Sequence, residues 1–286
     1  IIPIAPESSD NLKRRIENSR EVYCSGLFLS ARWFVVSYVA KEGVNLVILP
    51  NKDSAEYCSS DLYGTVNDDC VFFLPDSGKG VERSNYKSSL MVQRTSAIEK
   101  IINNRGERII LVSYPEALSE PIPDPKNIKE NIFSISKGEE ISYEKIKEIL
   151  ISKGFEKVDF VARPGQYAIR GSIIDIFSYS YNNPYRLSFF GNEVEKINTF
   201  DCNTQLSVEE KDKMDIVPGI FSEEEEESFS FIKDILPDDT LVWLDSSDTY
   251  REEEFMEGFK KFRKIFIDKP LSAEKEDEVK FRITPQ

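Results

Sequence analysis

The 286-residue chain contains no histidine. That absence excludes Ser-His and Cys-His catalytic pairs and every zinc site that relies on imidazole. Cysteine is sparse as well: Cys24, Cys58, Cys70 and Cys202 lie far apart with no Cys-x-x-Cys pair. This pattern belongs to free buried thiols in a reducing cytoplasm, and it supplies neither a disulfide framework nor a metal cluster. No apolar run approaches the roughly 18 residues of a membrane span. Positive charge is in deficit, with 37 Lys and Arg against 51 Asp and Glu and a net charge of −14. Gripping DNA phosphates over a broad surface requires a positive field, so only a local basic patch is compatible with this balance. Residues Ile1 to Ser8 lack a signal-peptide pattern and do not begin with Met, which reads as an excerpt or a processed end.

A phosphate-binding loop is missing too. Such a loop needs Gly-x-x-x-x-Gly-Lys-Ser/Thr between a strand and a helix, because backbone amides and the lysine hold the phosphates. The nearest counterpart is Ser25-Gly26-Leu27-Phe28-Leu29-Ser30-Ala31-Arg32, without the second glycine, the lysine or the metal-binding hydroxyl. Ser77-Gly78-Lys79-Gly80 has a glycine and a lysine, but no hydroxyl residue and no helix follow, so it reads as a turn. Val242-Trp243-Leu244-Asp245 is an apolar strand ending in an aspartate; without a phosphate loop, that Asp reads as a strand or helix cap. The glutamate run Glu223 to Glu227 reads as a solvated linker or helix start.

What the chain does contain is an alternation. Leu46–Leu49, Val71–Leu74, Ile109–Val112 and Leu241–Leu244 are short continuous apolar runs of the kind buried parallel strands show. Leu12–Arg20, Ser54–Leu62, Thr95–Asn103 and Tyr250–Lys264 read as helices, and Leu27–Ala40 reads as a helix feeding a strand. Strands alternating with helices imply right-handed crossovers and a covered parallel sheet. The alternation breaks at Ser119–Pro125, which holds three prolines in seven residues. Beyond it, Ser142 is a helix N-cap, Ile146, Ile149 and Leu150 form an apolar stripe, and Gly154 ends the helix. The buried-strand pattern resumes after Val217-Pro218-Gly219. The expected organisation is an α/β domain from 1–121 and 217–286, with a smaller inserted α+β domain at 122–216.

Within the insertion, Gln166–Phe177 and Pro184–Phe190 are β-like runs joined by a Tyr/Ser/Asn loop, and Glu193–Phe200 follows a Gly-Asn turn. In Arg186-Leu187-Ser188-Phe189-Phe190 the side-chain period of two puts Leu187 and Phe189 on one face, as core. Arg186, Ser188 and Phe190 fall on the other, as surface. An arginine and a large aromatic on one exposed strand face have the composition of a protein-binding hot spot.

The same residues carry a resemblance. Arg-Gly-Ser-Ile-Ile-Asp-Ile-Phe from Arg170, then Pro-Tyr-Arg-Leu-Ser-Phe-Phe-Gly-Asn-Glu-Val-Glu-Lys-Ile-Asn-Thr-Phe-Asp from Pro184, then Thr-Gln-Leu-Ser from Thr204, resemble the UvrB-like module of the bacterial transcription-repair coupling factor. UvrB itself is a more distant match, since its intact phosphate loop and DNA-inserting tyrosine hairpin have no counterpart here. The resemblance implies a degenerate, ATPase-inactive α/β domain of the RecA-like kind, without Walker motifs. It also implies an inserted domain that binds UvrA, and so a cytoplasmic, non-enzymatic recruiting role in nucleotide excision repair with no cofactor of its own. RNA polymerase, duplex DNA and ATP would belong to other domains of such a protein. Residue by residue, the family's UvrA contact falls on Arg170, Arg186 and Phe190, with Arg163 at the rim, and Ser188 stands where the family often carries an acid. The alternative reading is a degenerate nucleotide-binding or DNA-binding enzyme domain related to UvrB.

Overall fold

The structure is a computed structural model describing residues 6–27, 30–66, 70–78, 85–219, 229–245, 253–267 and 278–280. The glutamate run Glu223–Glu227, and parts of the Ser25–Arg32 and Ser77–Gly80 segments, lie outside the described residues. In chain order the first elements are α1 (Pro6–Asn18), β1 (Glu21–Ser25), α2 (Ala31–Val39), β2 (Val44–Ile48), α3 (Lys52–Tyr63), β3 (Val71–Phe73), α4 (Asn85–Asn103), β4 (Ile109–Ser113) and α5 (Pro115–Ser119). There follow β5 (Ile122–Pro123), α6 (Pro125–Glu130), β6 (Phe133–Ser136), α7 (Tyr143–Ser152), β7 (Glu156–Lys157), β8 (Gln166–Arg170), β9 (Ile173–Phe177), β10 (Tyr185–Phe190), β11 (Glu193–Phe200), β12 (Ser207–Lys211) and β13 (Lys213–Ile216). The chain continues with β14 (Phe229–Ser230), α8 (Ile232–Ile235), β15 (Leu241–Asp245), α9 (Glu253–Glu257), β16 (Arg263–Ile267) and β17 (Glu278–Lys280).

Two compact units result, one from 1–76, 100–120 and 231–286, the other from 77–99 and 121–230. Residues 77–99, which the sequence pattern placed with the first part of the chain, go with the second unit.

The first unit is built on a seven-stranded sheet in the order β17-β1-β16-β15-β2-β4-β3, every pair parallel. Strands β2, β4 and β15 are buried along their whole length. Their largely apolar sequences have this cause: a parallel sheet covered on both faces leaves no position for a side chain to reach water, and the polar residue inside β2, Asn45, instead donates its side-chain amide to the carbonyls of Lys41, Gly43 and Ile109. Asn51 starts α3 by accepting the Ser54 amide on its side chain at 2.9 Å. Strands β1, β16 and β17 were not foreseen, and β16 overturns part of the helix expected over 250–264. There, a short α9 and a series of turns are followed by a strand that inserts between β1 and β15.

The second unit is built on a mostly antiparallel six-stranded sheet, β12-β11-β10-β9-β8-β7. The expected single run Gln166–Phe177 is in fact a hairpin. Arg170 pairs with Ile173 across the two-residue turn Gly171-Ser172, where Gly171 has φ +60° and Cβ would be unfavourable. Helix α7 starts as its sequence predicts, with the Ser142 hydroxyl accepting the Lys145 amide. It lays Ile146 and Leu150 on the inner face of the sheet, against Tyr167, Ile174, Ile176, Leu187, Phe189, Val194 and Ile197. Burial of each such aliphatic side chain is worth about 1.5–3 kcal/mol. Because α7 covers this face only, the functional question moves to the other one.

Candidate partner-binding surface

The outer face of the six-stranded sheet is read from the strand pairing. One row runs Ala168, Asp175, Arg186, Asn198, Glu210; the next runs Arg170, Ile173, Ser188, Lys196; and Phe190 faces Glu193 beyond them. The parity argument holds for β10: Tyr185, Leu187 and Phe189 are buried, while Phe190 is 80% exposed. A register shift between Ser188 and Phe189 does not reverse the alternation.

The face is not uniformly open to solvent. A small second core of Val161, Ala168, Phe177 and Phe200 covers one end of it, because the 158–165 segment folds back across the sheet. Arg186 lies beside this core with only 17% of its side chain exposed, and the expectation that it stands free on a solvent face is corrected. Its Nε and Nη2 donate to the two oxygens of Asp175 at 2.7 and 3.0 Å, its Nη1 donates to the Gln205 carbonyl at 3.1 Å, and its guanidinium stacks on Phe200 at 4.4 Å. Asp175 is 1% exposed. A carboxylate at that depth requires cations, and the sequence shows only that an Asp sits in a strand, not that two arginines converge on it.

Arg170 supplies the second cation. It bonds the same Asp175, leaves 37% of its own side chain exposed, and lies over the Phe160 ring at 5.0 Å. The hydrogen bonds to Asp175 raise the affinity of the Arg186 guanidinium for its proton. The arrangement is a fixed positive point on one face with exposed aromatics, with its cations anchored from below. Arg163 stands apart, paired with Glu156 at 3.1 Å, and Ser188 is part-exposed between Arg170 and Phe190 in the strand register. Phe160 was not singled out from the sequence; a lone Phe in a Val-Asp-Phe-Val loop carries no periodic signal.

The first unit holds a separate ion pair at the end of its parallel sheet. Where β1 leads into α2, Arg32 places Nη1 at 2.7 and 2.8 Å from the two oxygens of Asp245 at the end of β15. The Ser30 hydroxyl donates to Asp61 at 2.7 Å. A guanidinium thus occupies the position beside the strand-end aspartate. Among the described residues no group of three or more Cys, Asp or Glu is arranged to hold a metal ion, and no helix is long and apolar enough to cross a membrane.

Comparison with known proteins bears on the second unit first. Residues 133–220 match the model of the UvrB interaction domain family. The chain is 30% identical over 220 residues to a transcription-repair-coupling factor of Bacillus subtilis, covering 74% of this chain and 18% of that protein. The corresponding protein of Haemophilus influenzae is 26% identical over 186 residues, covering 64% of this chain and 16% of the relative. That of Staphylococcus aureus is 24% identical over 250 residues, covering 85% and 21%. The chain therefore spans about a fifth of the length of the curated relatives it matches. Sheet, face and match coincide: the six-stranded sheet and its outer face lie within residues 133–220, which match the UvrB interaction domain family, in a chain similar over most of its length to transcription-repair-coupling factors.

Proposed function

We propose that this chain is the recruiting module of a transcription-repair coupling protein, and that its UvrB interaction domain docks UvrA through the outer face carrying Arg170, Arg186 and Phe190. The observation that carries the reading is the exposed Phe190 beside an arginine cluster preorganised on a buried carboxylate, all inside the matched segment. Preorganised arginines lose little side-chain freedom on binding, and a rigid exposed aromatic adds area at low entropic cost. Any action on RNA polymerase or duplex DNA would belong to parts of a longer protein, since this chain matches only a fraction of its relatives.

In this reading the module itself catalyses nothing. The Arg32–Asp245 pair supports that part of the proposal, because Asp245 is engaged by an internal cation and the lysine of a phosphate loop is missing. The module is then expected to show no saturable heat on calorimetric titration with Mg-ATP. Clear binding would favour the degenerate nucleotide-binding alternative. The recruiting role is tested by mixing the chain with purified UvrA on a sizing column: co-elution supports it, and separate elution at micromolar concentration defeats it.

A further inference from the structure

The geometry points to Phe160 as a further contact residue of the docking surface, a second aromatic anchor that the partner covers together with Arg170 and Phe190. This inference rests on the UvrA reading above and extends it to a residue the family motif does not contain.

Phe160 is 63% exposed, yet the segment that carries it is well anchored. The next residue, Val161, is buried in the small outer core with Ala168, Phe177 and Phe200. The Val158 amide donates to the Tyr167 carbonyl at 2.9 Å, and the Ala162 and Arg163 amides donate to the Gln166 side chain at 3.1 and 3.2 Å. The backbone on both sides is therefore tied to β8, and Phe160 is the side chain that this tie turns outward. Its ring meets the Arg170 guanidinium at 5.0 Å, while Asp175 holds the same guanidinium from the buried side. Arg170 is thus held between a carboxylate below and an aromatic face beside it, with the rest of the fork open.

Strand register places Phe190 on the same face. Arg170 pairs with Ile173, Ile173 with Ser188, and Phe190 lies two residues beyond, so Phe160 touches the arginine directly while Phe190 shares its face across Ile173 and the small Ser188. Two phenylalanines on one face with a desolvatable arginine form the kind of surface that binding energy concentrates on, and their exposure in the isolated chain costs free energy that a partner recovers. The matching partner surface is apolar with one carboxylate that reaches the free donors of Arg170. Partial desolvation of the cation by that surface strengthens its attraction to the Phe160 ring.

The test compares UvrA affinity and melting temperature for the wild-type chain and for Phe160→Ala, Arg170→Ala, the double variant and Ile151→Ala. Ile151 is similarly exposed but sits on α7, which covers the opposite face of the sheet. Phe160→Ala is expected to weaken binding about tenfold at unchanged melting temperature. It should still weaken binding in the Arg170→Ala background, and Ile151→Ala should bind as wild type. Wild-type affinity for Phe160→Ala overturns the inference. So does a loss that vanishes entirely once Arg170 is gone, which would leave the ring as a mere support for the guanidinium. An equal loss in Ile151→Ala would mark the effect as non-specific and overturn it too. If the wild-type chain itself fails to bind UvrA, the recruiting reading falls and this inference with it; that outcome is told apart by the wild-type measurement alone.

Discussion

At Asp175 two guanidiniums meet on one carboxylate that water cannot reach. Arg186→Ala leaves that carboxylate with Arg170 alone and removes the stacking on Phe200. Stripping a buried pair completely costs roughly 3–5 kcal/mol, and with Arg170 still present we expect about 2 kcal/mol for Arg186→Ala, read from urea unfolding. Strand parity alone had pointed to almost no stability loss at this position. Phe190→Ala is expected to fall within about 0.5 kcal/mol of wild type, because no cavity forms on an exposed face. Its neighbour Phe189 packs in the inner core, and Phe189→Ala should cost about 3–5 kcal/mol. Reversal of the two phenylalanines in unfolding experiments would mean that the strand is inside out. The cysteines provide a second residue-scale check. Burial pushes the Cys24 thiol up to about 12 and raises that of Cys58 as well. The neutral thiol is a poor nucleophile, so both should resist iodoacetamide in the native chain at about pH 8 and react once urea is added. Native labelling of Cys24 at the rate of a free thiol would contradict its placement.

Among the elements, the segment that carries Phe160 depends on one glycine. Gly165 has φ +81°, and a Cβ there would run into the hydroxyl end of Tyr179, whose ring packs edge-on against Phe155. Gly171 also has positive φ, but nothing lies within 4 Å of its missing Cβ. Gly171→Ala therefore costs only the backbone term of about 1–2 kcal/mol, and Gly165→Ala must cost more, because the tyrosine has to move as well. Equal melting temperatures for the two variants would refute this ordering. Element boundaries were less legible than the elements themselves. Phe255, Phe259 and Phe262 do recur at helical spacing, and their rings do cluster. The helix nonetheless gives way to β16, because a place between β1 and β15 satisfies the backbone of 263–267 more fully than a solvent-facing helical turn. That gap exists only once distant strands have assembled. Strand β1 escaped notice for a related reason: Glu-Val-Tyr-Cys-Ser is short and polar at both ends, and its burial is conferred by neighbours from the far end of the chain.

For the whole molecule, the division into two compact units has an energetic consequence. Each has its own core, one around Trp243 and the other around Phe189. We expect calorimetry to show two transitions, with Phe189→Ala lowering only one and Leu241→Ala, in the core around Trp243, only the other. A single transition shifted by both substitutions would mean that the units unfold as one.

Several features follow from the amino-acid order alone. The short apolar runs in β2, β4 and β15, alternating with helical stretches, carry the pattern of a parallel sheet covered on both faces. The Ser142 cap and the apolar stripe after it specify α7, and the period of two in β10 separates Phe189 from Phe190, because these depend on residues a few positions apart. The absence of histidine and of a phosphate lysine is likewise a property of the chain itself. The tertiary structure decided what depends on residues brought together from far apart. Arg186 and Arg170 share Asp175 only because three strands align in one register, and Arg32 meets Asp245 across 213 positions of sequence. Phe160 joins the surface because Val161 is pulled into a core that no local pattern announces. Electrostatic pairing and burial depend on distance in space, and the linear pattern records distance only along the chain.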